Sequence, residues 1–144
     1  MHASLTNLIA VLVLAPLIGA PQAESHSATV DRPARVALAG GHGTAGVPRF
    51  LDLTVKAYTP GKDGPVEAVV VADENGKQTE IGRFGLTGRR TFNQSLGDVG
   101  QSFSFPLPEG FAPTANARLE VRLQPVTGTA KGAIIEVSDG RLRF

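Results

Sequence analysis

The final stretch, Ala117–Phe144, reads ARLEVRLQPVTGTAKGAIIEVSDGRLRF and carries the clearest structural signal in the chain. Leu119, Val121 and Leu123 alternate with Arg118, Glu120 and Arg122, the period-two signature of a strand with one buried face. Pro125 closes that strand, and Thr127, Gly128, Thr129 and Gly132 form a polar connection to a second apolar run, Ala133–Val137. Ser138-Asp139-Gly140 separates this run from a last strand, Arg141–Phe144. Asp-Gly between apolar runs is a hairpin signal, because a type I′ turn needs positive φ at its central residues. The stretch therefore predicts the closing strands of an antiparallel β domain.

Upstream, the pattern repeats. Leu51, Leu53, Val55 and Ala57 alternate with Asp52, Thr54 and Lys56, and Pro60–Pro65 supplies turn chemistry. Val66–Ala72 reads as a strand because consecutive valines favour extended structure. Asp73-Glu74-Asn75-Gly76 is a second hairpin signal, leading into Thr79–Leu86. In that segment Ile81, Arg83 and Gly85 share one parity and Gly82, Phe84 and Leu86 the other, so the buried face stays open. Gly82 and Gly85 suggest a bulge or a close backbone approach. Thr87–Gly100 has no helical period and reads as a long loop containing Phe92, and Ser102–Leu107 is a strand with Phe103, Phe105 and Leu107 on one face. Pro108-Glu109-Gly110 and Pro113 mark the connection to the closing strands.

Before Arg49 the pattern fades. Glu24–Asp31 is expected to be a flexible lead and Pro33–Ala39 a weak edge strand, broken by Gly40-Gly41-His42-Gly43. That glycine cluster lacks the Gly-Lys-Ser/Thr ending of a phosphate-cradling loop and reads as a turn. The expected architecture is all-β: a single antiparallel β-sandwich or partly open barrel of about seven or eight strands over residues 49–144, following a flexible segment 24–48.

The first 23 residues fix the expected compartment. Leu8–Ile18 is a short apolar core followed by small residues, and no Asp, Glu, Lys or Arg occurs before Glu24. This matches a helical secretory signal peptide too short to span a bilayer comfortably. Cleavage after Ala23 competes with cleavage after Ser25, and an uncleaved anchor is the structural alternative. The expected localisation is exported, periplasmic or secreted, with no stable membrane span after processing. About 120 residues then remain, enough for one domain. The formal net charge is +1 and the arginines are scattered, so nucleic acid is not an expected partner. Cysteine is absent, which removes disulfides, a thiolate nucleophile and a soft-metal site.

Catalytic chemistry finds little support. After signal removal only His26 and His42 remain, neither on a clear strand, which excludes three-histidine catalysis and disfavours a Ser-His-Asp arrangement. Glu120 and Glu136 are a candidate carboxylate pair, but their alternation with apolar residues predicts a solvated face flanked by Arg118, Arg122, Arg141 and Arg143. One conditional metal site stands out. Cleavage after Ala23 would leave Glu24, Ser25 and His26 at the amino terminus, where an α-amine, two amides and an imidazole offer the planar nitrogen set preferred by Cu(II) or Ni(II). Otherwise no cofactor is expected. The competing reading of His26 is an unstructured leader residue.

From Arg49 onward the arrangement resembles the C-terminal β domain of type-3 copper proteins, namely tyrosinases, polyphenol oxidases and hemocyanins. Arg49-Phe50-Leu51-Asp52-Leu53 is a loose counterpart of the opening strand of the plant members. Ile81-Gly82-Arg83-Phe84-Gly85-Leu86-Thr87-Gly88 resembles the central strand, and Ser102–Leu107 the strand after the long loop. Leu119–Pro125 with the closing runs Ala133–Phe144 is the best match. The resemblance implies a β-sandwich that covers a copper site in a neighbouring domain, often by placing an apolar side chain in its entrance. The histidine-rich helical copper domain is absent here, so no catalytic residue carries over and the chain is expected not to be an enzyme. What it implies instead is an accessory, shielding or assembly partner of a separately encoded type-3 copper oxidase. Phe92 and Phe111 are the candidate partner-binding residues, unless both pack on their own sandwich. The alternative is a stand-alone exported module binding a protein or another ligand; the absence of Trp and the single Tyr58 weigh against sugar.

Overall fold

The computed structural model describes residues 24–40, 46–86 and 90–144. The leader, His42 and Arg89 lie outside the described residues. The strands are β1 (Ser27–Ala28), β2 (Ala34–Ala39), β3 (Phe50–Thr59), β4 (Val66–Glu74), β5 (Lys77–Gly85), β6 (Phe92–Asn93), β7 (Gln101–Pro106), β8 (Arg118–Pro125), β9 (Ile134–Val137) and β10 (Gly140–Arg143). A 3₁₀ turn spans Gln94–Leu96. The expected all-β, sandwich-like fold is present. No helix among the described residues is long and apolar enough to cross a membrane.

The ten-residue β3 organises the molecule. Its one edge carries β7 and then β6; its other edge carries β10 and then β9. β2 joins this layer to the other, since Ala34–Ala37 pair with β8 while Leu38 and Ala39 pair with β10. The order continues β8-β4-β5. The two layers enclose one core in which Val36, Leu51, Leu53, Val55, Val70, Leu119, Val121 and Val137 are all at most 1% exposed. Each such side chain contributes about 1.5–3 kcal/mol by leaving water. The sheet curls without closing. No ladder joins β5 to β7; their seam is filled by Phe84 stacked on Phe103, with centroids 4.2 Å apart, and by Phe105.

Several expectations are corrected. The β2–β10 pair is parallel, so the sheet is mixed rather than antiparallel. No tight turn links these two strands, so nothing in the connection forces them to oppose. The short strands β1 and β6 raise the count above seven or eight. Glu24–Asp31 is not a loose lead. Ser25 exchanges backbone hydrogen bonds with Arg35 at 2.8 and 2.7 Å, β1 pairs with β9, and Ala28 is fully buried.

Ser138-Asp139-Gly140 is not a hairpin turn either. β9 and β10 do not pair with each other; they run in succession along the same edge of β3. Ser138 bridges the break, its amide donating to Thr54 O at 2.8 Å and its hydroxyl accepting from the Thr54 amide at 3.1 Å. Gly140 is required for space rather than turn geometry, since a Cβ there would lie 2.8 Å from Leu119 Cδ2 and 3.1 Å from Leu38 and Leu51 methyls. The Asn75-Gly76 turn forms as expected, with φ of 54° and 85° between β4 and β5.

Two bulges reset the alternation. On β3 the register shifts between Val55 and Ala57, so Tyr58 rather than Ala57 enters the core. On β5 the register steps from Glu80 to Gly82 across Val71 and Val70, leaving Ile81 as the extra residue. Both parities of that segment therefore contribute buried groups, Ile81 with Phe84. Gly82 lies under the Phe105 ring, where a side chain has no room. This is the bulge and close approach expected from its sequence.

Candidate functional site

Of the N-terminal residues proposed for a metal, Ser25 and His26 are held by the sheet, while Glu24 is exposed. Ser25 donates its amide to Arg35 O, and the His26 carbonyl accepts the Val137 amide at 2.8 Å. His26 Nε2 lies 2.9 Å from Asp139 Oδ1. A planar nitrogen set would need the Ser25 amide deprotonated and released from Arg35. The structure thus brings His26 to the β9–β10 break, and no group of three or more His, Asp or Glu side chains that could hold a metal occurs among the described residues.

Phe92 and Phe111 both pack against the core from its margin. Phe92 lies on β6 rather than in a loop, its ring 6.2 Å from that of Tyr58. The Tyr58 hydroxyl donates to Leu86 O at 3.2 Å, and burial raises its pKa. Phe111 sits in the β7–β8 connection, against a cavity at that end of the sandwich.

The loop after Phe92 is built as a rigid projection. The Asn93 side chain accepts the Ser95 amide at 3.0 Å and its hydroxyl at 2.6 Å; the Asn93 amide in turn donates to Asp98 Oδ2 at 2.8 Å. Gly97, at φ 96°, ends the turn and donates to Gln94 O at 3.1 Å. This frame holds Leu96 at 82% and Val99 at 87% exposure, the two most exposed large apolar side chains among the described residues. Apolar side chains on a loop with this many internal hydrogen bonds cost little entropy to present to a partner. The sequence pattern points to Phe92 and Phe111 and not to this pair. The usable signal was the Asn93/Asp98 capping pattern, which brackets Leu96 and is followed directly by Val99.

Charged side chains cover the outer faces of both layers. Glu120 is not solvated: it is 7% exposed, with Arg122 Nε at 2.5 Å and Arg35 Nε at 3.4 Å. The β8–β4 register sets Arg122 opposite Val69 and Glu120 opposite Val71, two outward valines that remain 4% exposed beneath them. Glu136 is exposed on β9, which pairs with β1 and β3, whereas Glu120 lies on β8 between β2 and β4, so the two carboxylates are not on neighbouring strands. On the other layer Asp52 accepts from Arg143 Nε at 2.9 Å and from Ser104 at 2.6 Å; those hydrogen bonds hold its carboxyl below the usual aspartate range. Of the expected arginine ladder, Arg122 and Arg143 form ion pairs, while Arg118 and Arg141 form none among the described residues.

No protein-family model matches the chain, and neither a curated protein nor a solved structure does.

Proposed function

We propose that this chain is an exported, non-catalytic β-sandwich that docks onto a separately encoded protein through the Gln94–Gly100 loop. A type-3 copper oxidase is the partner to which the sequence resemblance points. The observation carrying this reading is the exposure of Leu96 and Val99 on a hydrogen-bonded frame. Two branched aliphatic side chains projecting from a convex tip suit a small concave apolar entrance on another protein. Burying each of these side chains fully against a partner would contribute about 1.5–3 kcal/mol. The role that the resemblance implies for Phe92 and Phe111 falls instead to Leu96 and Val99. A stand-alone binding module for another protein or ligand is the second reading, favoured by the packing of Phe92 and Phe111 on their own core.

The test is affinity capture from the exported fraction with immobilised wild-type protein and the double variant Leu96→Ser, Val99→Ser. A copper oxidase retained by wild type and lost from the variant supports the proposal. Equal retention by both would remove the loop from the interface. Retention of a different protein, sensitive to the same substitutions, would establish the second reading instead.

A further inference from the structure

The cavity beside Phe111 lies at the opposite end of β7 from the docking loop: the loop enters β7 at Gln101, opposite Val55, whereas the cavity lies beyond Pro106, opposite Phe50. It measures about 300 Å³, the lower end of the range for small-molecule sites, which favour the mouths of barrel-like sheets. Its floor is apolar and belongs to the core, with Ala72 at 3% and Ala117 at 1% exposure. Phe111 forms one wall. The connection that carries Phe111 is fixed on both sides, by the Phe111 amide donating to Pro108 O at 3.1 Å and by Thr114 donating its hydroxyl to Glu74.

The rim is charged with both signs. Lys77 and Glu74 face each other across the Asn75-Gly76 turn, and Glu109 approaches from the β7–β8 connection. Lys77 and Glu109 form no ion pair among the described residues, whereas Glu74 already accepts the Thr114 hydroxyl. Small alanine side chains on the floor leave a space that larger residues would fill, and the rim offers one cation and two anions above it. A purely apolar ligand would make no use of Lys77 and Glu109. A simple anion or cation would leave the floor and Phe111 uncovered.

We propose that this cavity binds a free α-amino acid with an apolar side chain. The ligand carboxylate meets Lys77, its ammonium meets Glu74 and Glu109, and its side chain lies against Phe111, Ala72 and Ala117. Charge-assisted hydrogen bonds of this kind are about twice as strong as neutral ones, so each charged half of the ligand contributes to affinity separately. The site is independent of the docking loop, and the two proposals stand or fall separately.

The test is calorimetric titration of the wild-type protein with L-phenylalanine, and in parallel with phenethylamine, hydrocinnamate and glycine, with amide NMR to locate the contact. The expected result is saturable binding of L-phenylalanine, weakened about ten-fold or more for each analogue lacking one charge or the side chain. Shifts should fall on the Ala72, Lys77 and Phe111 amides. Lys77→Gln, an exposed substitution that spares the core, should weaken L-phenylalanine about ten-fold and leave phenethylamine unchanged. Ala72→Leu should abolish binding of both. Absence of saturable binding, equal affinity for L-phenylalanine and phenethylamine, or shifts confined to other regions would each overturn the proposal.

Discussion

Tyr58 is the only tyrosine and tryptophan is absent, so its ionisation can be followed without interference. Burial raises its pKa above the ordinary tyrosine value. The stabilising effect of keeping it neutral is complete below that ordinary value and is lost as pH rises through the folded-state value. Tyrosinate absorbance should therefore rise above about pH 10 and coincide with unfolding rather than precede it. Asp52 acts in the opposite sense. Its lowered pKa gives stability that is present above the ordinary aspartate value and is lost as pH falls through the folded-state value. Asp52 and Arg143 are 34% and 52% exposed, so the pair is worth about 0.5 kcal/mol. Asp52→Asn should lower stability by that amount at neutral pH and remove this part of the acid dependence, measured by urea unfolding. Glu120→Ala should cost about 1–2 kcal/mol, because it strips two guanidinium partners and uncovers Val71, with an unchanged denaturant slope. At this scale the sequence shows which residues alternate, but not what lies across from them. Glu120 sits on the outward parity, as its alternation indicates; its burial comes from Arg35, 85 positions earlier and brought alongside by the β2–β8 register.

Elements separate two kinds of glycine that look alike in sequence. Asp139-Gly140 and Asn75-Gly76 both carry a hairpin signature, yet only the second adopts positive φ. Gly76 has no heavy atom within 4 Å of a built Cβ, whereas Gly140 is enclosed by three leucines. Gly76→Asn should thus be tolerated to within about 1 kcal/mol, since Asn accepts the left-handed region. Gly140→Asn should cost about 1–3 kcal/mol by overpacking, and thermal melts of the two variants give the comparison. The hairpin signal misled because periodicity shows that two runs are extended, not whether they pair with each other or with a third strand. Here β3 is long enough to hold both along one edge. The bulge at Gly82 was legible from its glycines and mixed parity. The bulge that turns Tyr58 inward had no such marker.

For the whole molecule, the apolar alternation from Leu51 to Leu142 was sufficient to read an all-β fold around one core. In the N-terminal segment the strand at Pro33–Ala39 was legible, although β2 lies between β8 and β10 rather than at an edge; the pairing of Ser25–Ala28 was not, because β1 is two residues long and its buried group, Ala28, is small. Deleting residues 24–29 removes the Ser25–Arg35 bridge and the β1–β9 pairing. It should lower stability by about 1–2 kcal/mol while preserving a single cooperative transition. The candidate site was read only to its neighbourhood: Phe92 and Phe111 adjoin the proposed docking loop and the proposed ligand cavity respectively, while packing inward themselves. Sequence pattern places an apolar residue near a loop, but the hydrogen bonds that decide which one projects depend on the folded turn. Docking through that loop is most directly tested by amide NMR of the isotopically labelled chain, titrated with a type-3 copper oxidase or with the protein it captures. Signals from Gln94–Gly100 should broaden or shift on binding while those of β4 and β5 stay in place; unchanged loop signals with perturbation elsewhere would contradict the account.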